Sequence, residues 1–199
     1  MTRWAPAKND VLDELAAEIR HNYPHGRIAV AVDGIDGSGT GAFADDLAAA
    51  FERSGVAAVR ASIDGFLAPI APAGDAAAER YYSAAYDYEA FRAHLVGSFH
   101  AGLPFQVTLD GPPVAGPEGD AVLVVDGPLL LRPEVLGVWN STVCLYVPAE
   151  QAFEATGTAD VRREAQRLYL KRVQPRVKAH ANVDNTDPDQ PRRTFSDSC

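Results

Sequence analysis

Gly34, Gly37, Gly39 and Gly41 crowd into one stretch, VAVDGIDGSGTGAFADDLA (Val30 to Ala48), and glycine-rich turns of this kind bind anions. The turn is made of Gly34, Ile35, Asp36, Gly37, Ser38, Gly39, Thr40 and Gly41. An apolar run, Ile28 to Val32, enters it, and Phe43, Leu47 and Phe51 follow at helical spacing. Successive backbone N–H groups and the positive end of the following helix form a phosphate cradle without help from any side chain. Gly34 to Gly39 supplies the glycine frame of the pattern G-x-x-x-x-G-K-[ST]. Thr40 stands where that pattern has lysine, and Gly41 where it has Ser or Thr. A tight strand-to-helix turn with no ligand would use the same glycines.

Two aspartates carry the remaining chemistry. Asp126 ends the run VLVVD, and a carboxylate at the end of a buried strand is where a phosphate-loop enzyme holds Mg²⁺; it could equally cap the turn at DGP. Asp64, in SIDGF, follows a second strand-like run. A carboxylate at the carboxyl edge of a parallel sheet sits where ligands bind and could take a proton from a sugar hydroxyl, or could close an Asx turn before Gly65.

The elements that must position these groups alternate in period. Asn9 or Asp10 can cap a helix whose apolar face is Val11, Leu12, Leu15, Ala16 and Ile19. Strands are expected at 27–33, 56–62, 122–125 and 141–148, with a short fifth in HANVDNT. The run at 122–125 is apolar enough to be buried on both faces. Helices are expected at 42–53, 88–99 and 160–173, while 62–87, rich in Pro, Gly and Ala, reads as loop. PFQVTLD reads as a short strand or an extended segment, and the tail from Pro188 as frayed. Strands alternating with helices imply an α/β fold with a parallel sheet and right-handed crossovers.

Composition narrows the partners. With 199 residues the chain suits one domain, 1–199, with a substantial core. A net charge of −9 argues against nucleic acid and anionic membrane as partners, since both need clustered Lys and Arg. Cys144 and Cys199 make neither a disulfide framework nor a metal site. No signal-peptide-like apolar core and no membrane-length run is present, so the expectation is a cytoplasmic protein.

Four segments in order, VDGIDGSGTGAFADDLA, ASIDGF, YYSAAYDYEAF and VLVVDGPLLLRPEVLGVWNSTVCLYVP, resemble the uridine kinase and phosphoribulokinase-like branch of phosphate-loop (P-loop) kinases. The compact bacterial uridine kinase-like proteins are the most similar group, and the resemblance covers roughly residues 27–190, including QRLYLKRVQPRVKAHANVDNTDP. It implies a three-layer P-loop kinase fold with a five-stranded parallel sheet. It implies ATP and Mg²⁺ as cofactors, with ATP across Gly34 to Gly41 and the metal near Asp126. Asp64 would face the phosphate-accepting hydroxyl of a nucleoside or similar small molecule, with Phe66, Tyr86 and Asp87 on the acceptor side. Tyr86 and Asp87 read equally as a helix-start turn. A homodimer is expected only through this resemblance.

Two departures stand out. Thr40 supplies no charge to terminal phosphates and Gly41 no oxygen to Mg²⁺. The family's arginine-bearing lid is reduced here to AEQAFEATGTADVRREAQRLYL, which leaves Arg162, Arg163 and Arg167 as candidate phosphate contacts or as the solvated face of a helix. The three lysines, Lys8, Lys171 and Lys178, lie away from the expected γ-phosphate position. Two functions follow: an attenuated ATP-dependent small-molecule kinase, or a catalytically inactive nucleotide- or anion-binding protein on a kinase scaffold.

Overall fold

Strand β1 (Arg27–Asp33) is apolar on both faces, and a computed structural model, which describes residues 7–69 and 76–195, buries it at the centre of the sheet. The strand order is β2-β3-β1-β4-β5-β6; β1, β2 (Ala57–Ser62), β3 (Ala121–Gly127), β4 (Ser141–Tyr146) and β5 (Ala181–Asp184) run parallel to one another, and the edge strand β6 (Arg192–Thr194) runs antiparallel to β5. β1 and β3 share a full register, Arg27 beside Ala121 through Asp33 beside Gly127. The loop that follows β1 and the carboxylate at the end of β3 therefore emerge at the same edge.

Alternate residues of the central strands feed two cores, which is why both strands read as unbroken apolar runs. Ile28, Val30, Val32, Val122 and Val124 pack under α1 (Lys8–Asn22) and α2 (Thr40–Arg53). Ala29, Ala31, Leu123 and Val125 pack on the other face against Phe66, Phe91, Leu95, Phe99 and Tyr169. Each such fully buried large side chain contributes about 1.5–3 kcal/mol. The result is the three-layer α/β architecture expected from the sequence.

The structure corrects several expectations. The sheet has six strands, because Arg192–Thr194 pairs antiparallel with β5 as β6, inside the tail expected to fray. Arg193 anchors it to Glu14 and Glu18 of α1. The cap of α1 is Ala7, whose N–H donates to the Asp10 carboxylate at 2.9 Å, so Asp10 acts from within the first turn. Part of the expected loop forms α3 (Ala77–Ala84), and Leu67 and Tyr86 form an isolated bridge. Residues 70–75 of that loop, and Cys199, lie outside the described residues. PFQVTLD contributes a single bridge, Phe105 to Val114, and forms no strand.

The expected helix at 88–99 begins as α4 (Tyr88–Ala90), widens into a π-helical stretch (Phe91–Gly97) and ends as α5 (Ser98–His100). The wide turn brings the Arg92 carbonyl under Gly97, where an added Cβ would lie only 2.9 Å from it. Glycine is what that position tolerates. Beyond β3 come α6 (Pro133–Leu136), α7 (Ala149–Thr156), α8 (Asp160–Val173) and α9 (Pro175–Lys178). Among the described residues no helix is long and apolar enough to cross a membrane.

Candidate functional site

The glycine loop folds as its composition requires. Gly37 and Gly39 take φ of 84° and 80°, the left-handed region that disfavours side chains, and Gly39 is the residue before α2. Three neighbours hold the loop from outside. The Asp36 N–H donates to Gln166 Oε1 at 2.8 Å, and the Asn185 side-chain amide donates to the Ser38 carbonyl at 2.8 Å. α7 lies so close that a Cβ on Gly37 would run into the Ala152 carbonyl. Ser38 closes a turn, its N–H donating to the Ile35 carbonyl at 3.0 Å.

What remains is a set of amides with no protein acceptor among the described residues: Gly37, Gly39, Thr40, Gly41 and Ala42. They lie at the positive end of α2, where an anion is stabilised. A cleft of about 470 Å³ opens on Gly37, Gly39, Thr40 and Gly41 and is lined also by Asp64, Asp126, Thr156, Thr158 and Arg162. Both aspartates read from the sequence therefore meet the loop in one space.

Asp64 follows β2 on a single 3₁₀ turn, Ile63–Phe66, which the Ser62 hydroxyl closes by accepting the Asp64 N–H at 3.3 Å. That leaves the Asp64 carboxylate free of the turn and 48% exposed. It accepts a hydrogen bond from the Tyr86 hydroxyl at 2.8 Å. Burial, with the Asp64 carboxylate alongside, pushes the Tyr86 phenol well above its usual range, so Tyr86 stays a donor. Asp87 caps α4, accepting the Ala90 N–H at 2.8 Å, and Phe66 packs edge-on against Phe91 with ring centroids 5.3 Å apart. Of the acceptor-side residues, Tyr86 alone touches Asp64; Asp87 and Phe66 serve the fold.

The three lid arginines part company. Arg162 makes a bidentate pair with the Asp36 carboxylate, both N···O distances 2.9 Å, and its Nη2 lies 3.9 Å from Asp64 Oδ1. Arg163 donates to the Thr158 carbonyl at 2.9 Å, and Arg167 pairs with Glu150 and Glu164. Only Arg162 reaches the cleft, and Asp36, a residue of the loop itself, already holds it. Replacing Asp36 by Ala should free that guanidinium and remove a negative charge, raising inorganic phosphate affinity about tenfold or more, as for one charge-assisted bond. Calorimetry reads this directly, and an unchanged affinity would show that Arg162 does not face the anion.

Asp126 is only 13% exposed and does not cap the DGP turn. Its Oδ1 is 2.8 Å from Nη2 of Arg60, a β2 residue that the sequence reading passed over. The loop amides suit phosphate oxygens, but the side chains beside them do not suit Mg²⁺. Asp126 is paired, Gly41 supplies no oxygen, and no group of three or more His, Cys, Asp or Glu among the described residues could hold a metal.

Asp33, the last residue of β1 at the root of the loop, is fully buried. Its carboxyl accepts the Leu130 N–H at 2.9 Å and the Tyr169 hydroxyl at 2.8 Å, and Tyr169 accepts the Leu131 N–H at 3.1 Å. Leu129 takes φ of 66° as it leads into this turn, a strained conformation for a branched residue. Burial raises the Asp33 pKa to about 7. The folded chain thus keeps a proton that the unfolded chain, with a pKa of about 3.9, releases. The stability this contributes is full below about pH 4 and is lost as pH rises through about 7. Asp33→Asn should flatten that decline in thermal-denaturation midpoint; a parent whose midpoint rises over the same range would contradict the buried proton.

No family model matches this chain, and no curated protein matches it. Solved structures do. One is a possible uridine kinase from Bacillus stearothermophilus, 22% identical, covering 87% of this chain and 97% of that one, with a TM-score of 0.69. Another, from a Silicibacter species, is named as a fructose transport system kinase; it is 21% identical and covers 79% of this chain and 88% of that one, with a TM-score of 0.50. These likenesses show that this chain shares the fold of those two solved structures.

Proposed function

We propose that this chain is a slow small-molecule phosphotransferase of the uridine kinase-like type. It would move the terminal phosphoryl group of a nucleoside triphosphate to a hydroxyl of a nucleoside or similar metabolite. The observation that carries the reading is the single cleft in which free loop amides and the exposed Asp64 carboxylate face each other. In such a site the loop amides hold the phosphates. The acceptor oxygen attacks phosphorus as the bond to the leaving diphosphate breaks, and Asp64 takes the hydroxyl proton. Tyr86 orients Asp64 through its hydrogen bond, and Arg162, once released by Asp36, would counter charge on the transferring group. An apolar cavity of about 330 Å³ behind Gly34 and Ile35, between β4, α8 and α9, is of a size to take the base.

The absence of a lysine at position 40 argues for slow turnover, since losing a contact that strengthens in the transition state costs about 10²–10³ in rate. Transfer of label from γ-labelled ATP to a nucleoside and sugar panel, above the level given by Asp64→Asn, tests the proposal. A second reading, nucleotide or anion binding without turnover, is favoured by the pairing of Asp126 with Arg60 and of Asp36 with Arg162. Binding of ATP with no transfer to any acceptor selects it.

A further inference from the structure

Arg60 lies inside β2, yet its guanidinium reaches to the mouth of the phosphate loop and spends every donor there. Nε donates to Asp45 Oδ1 at 2.8 Å. Nη1 donates to the carbonyls of Val124 at 2.7 Å and Ala61 at 3.0 Å. Nη2 donates to Asp126 Oδ1 at 2.8 Å and to the Gly41 carbonyl at 3.4 Å. Its five N–H groups thus meet five acceptors drawn from α2, β2 and β3, and a planar fork so held does not swing aside easily. The other Asp126 oxygen faces position 41, where an added Cβ would stand 3.6 Å away, and where glycine leaves nothing to complete a coordination shell.

We propose that Arg60 is the resident cation of this phosphate site, standing where a divalent metal would otherwise be recruited, so that the site takes phosphoryl ligands in metal-free form. This rests on the phosphate-binding half of the function proposed above and deepens it. A divalent ion at the remaining Asp126 oxygen would sit beside a fixed positive charge and gain only a carboxylate whose charge is already neutralised. A ligand already chelated to Mg²⁺ would bring the same repulsion with it. The free phosphate oxygens of a nucleotide or pyrophosphate meet instead a site whose carboxylate is neutralised and whose amides point outward.

Two measurements test this on the whole chain. The first adds Mn²⁺ alone and follows loss of the free-ion electron paramagnetic resonance signal. The parent should retain no Mn²⁺, while Arg60→Met, which unmasks Asp126, should retain it at least about tenfold more tightly, the order of one charged contact. The second titrates pyrophosphate in EDTA and in excess Mg²⁺. The parent should bind as well or better in EDTA, whereas Arg60→Met should bind about tenfold more weakly in EDTA and recover when Mg²⁺ is added. Equal Mn²⁺ retention by parent and variant, or pyrophosphate binding by the parent that needs Mg²⁺, overturns the inference. If no protein binds pyrophosphate, the proposed function falls while the Mn²⁺ comparison still decides Arg60. If Arg60→Met does not fold, tight Mn²⁺ binding by the parent alone is sufficient to reject the idea.

Discussion

Thr40→Lys combined with Gly41→Thr should raise ATP affinity by about 1.5–3 kcal/mol, because it returns a charge-assisted phosphate contact to a backbone already shaped for it. Both positions have room: Thr40 opens α2 at the cleft, and a Cβ at position 41 meets Asp126 Oδ2 at an ordinary 3.6 Å. If Asp64 and Arg162 act as proposed, phosphoryl transfer to a nucleoside should rise by roughly 10²-fold or more. With Arg60 still on Asp126, the gain should be largely independent of Mg²⁺; dependence on the metal should appear when Arg60→Met is added to the pair. Calorimetry and label transfer read the two effects separately. Tight binding without transfer to any acceptor would leave the non-catalytic reading standing. No gain in ATP affinity at all would sink the phosphate-loop assignment, since a cradle of the right shape could not ignore a lysine at its centre.

Asp64→Asn should lower kcat of any transfer by at least about 10²-fold, the usual loss for a general base, with little change in KM for ATP. The split follows from placement: Asp64 sits after β2 beside Tyr86, across the cleft from the loop amides. The carboxamide keeps the size of the side chain, so Tyr86 can still donate to its oxygen and the turn made by Ser62 is untouched. Steady-state rates for the pair of proteins settle the role. Equal kcat would remove Asp64 from the chemistry, and a rise in KM for ATP alone would move it to the nucleotide side.

The sheet and the loop were legible because their signals are local. Arg27–Asp33 and Asp160–Val173 occupy the residues the periodicity names, and the glycine frame marks the turn between β1 and α2. Asp64 and Asp126 were findable because one follows a strand of the parallel part of the sheet and the other lies at the end of one. What the sequence hid is pairing at a distance. Arg60 in VAAVRAS looks like a solvent-facing strand residue until β2 lies beside β3 and α2 packs above, bringing Asp126 and Asp45 to it. Gln166 and Asn185 have no motif; only the fold turns them toward Asp36 and Ser38. α3 was missed because Ala-rich AAERYYSA follows Pro and Gly, and it gains its place by packing against α8. Asp33 gave no sign of burial, since an aspartate ending a strand is ordinarily wet.

The position of β1 has a consequence for how the chain is made. It is translated before both of its partners, β3 at 121–127 and β4 at 141–146, which follow it by about ninety residues or more. Until then α1 and α2 can cover one face of RIAVAVD and the aromatic residues at 66–99 much of the other, while its two hydrogen-bonding edges stay without partners. Strand pairing across so long a separation is slow, and an unpaired apolar strand recruits other chains. A nascent chain stopped before β3 should therefore associate with holding chaperones or aggregate, and pauses in synthesis between residues 54 and 120 should depress the yield of folded protein more than pauses after β4.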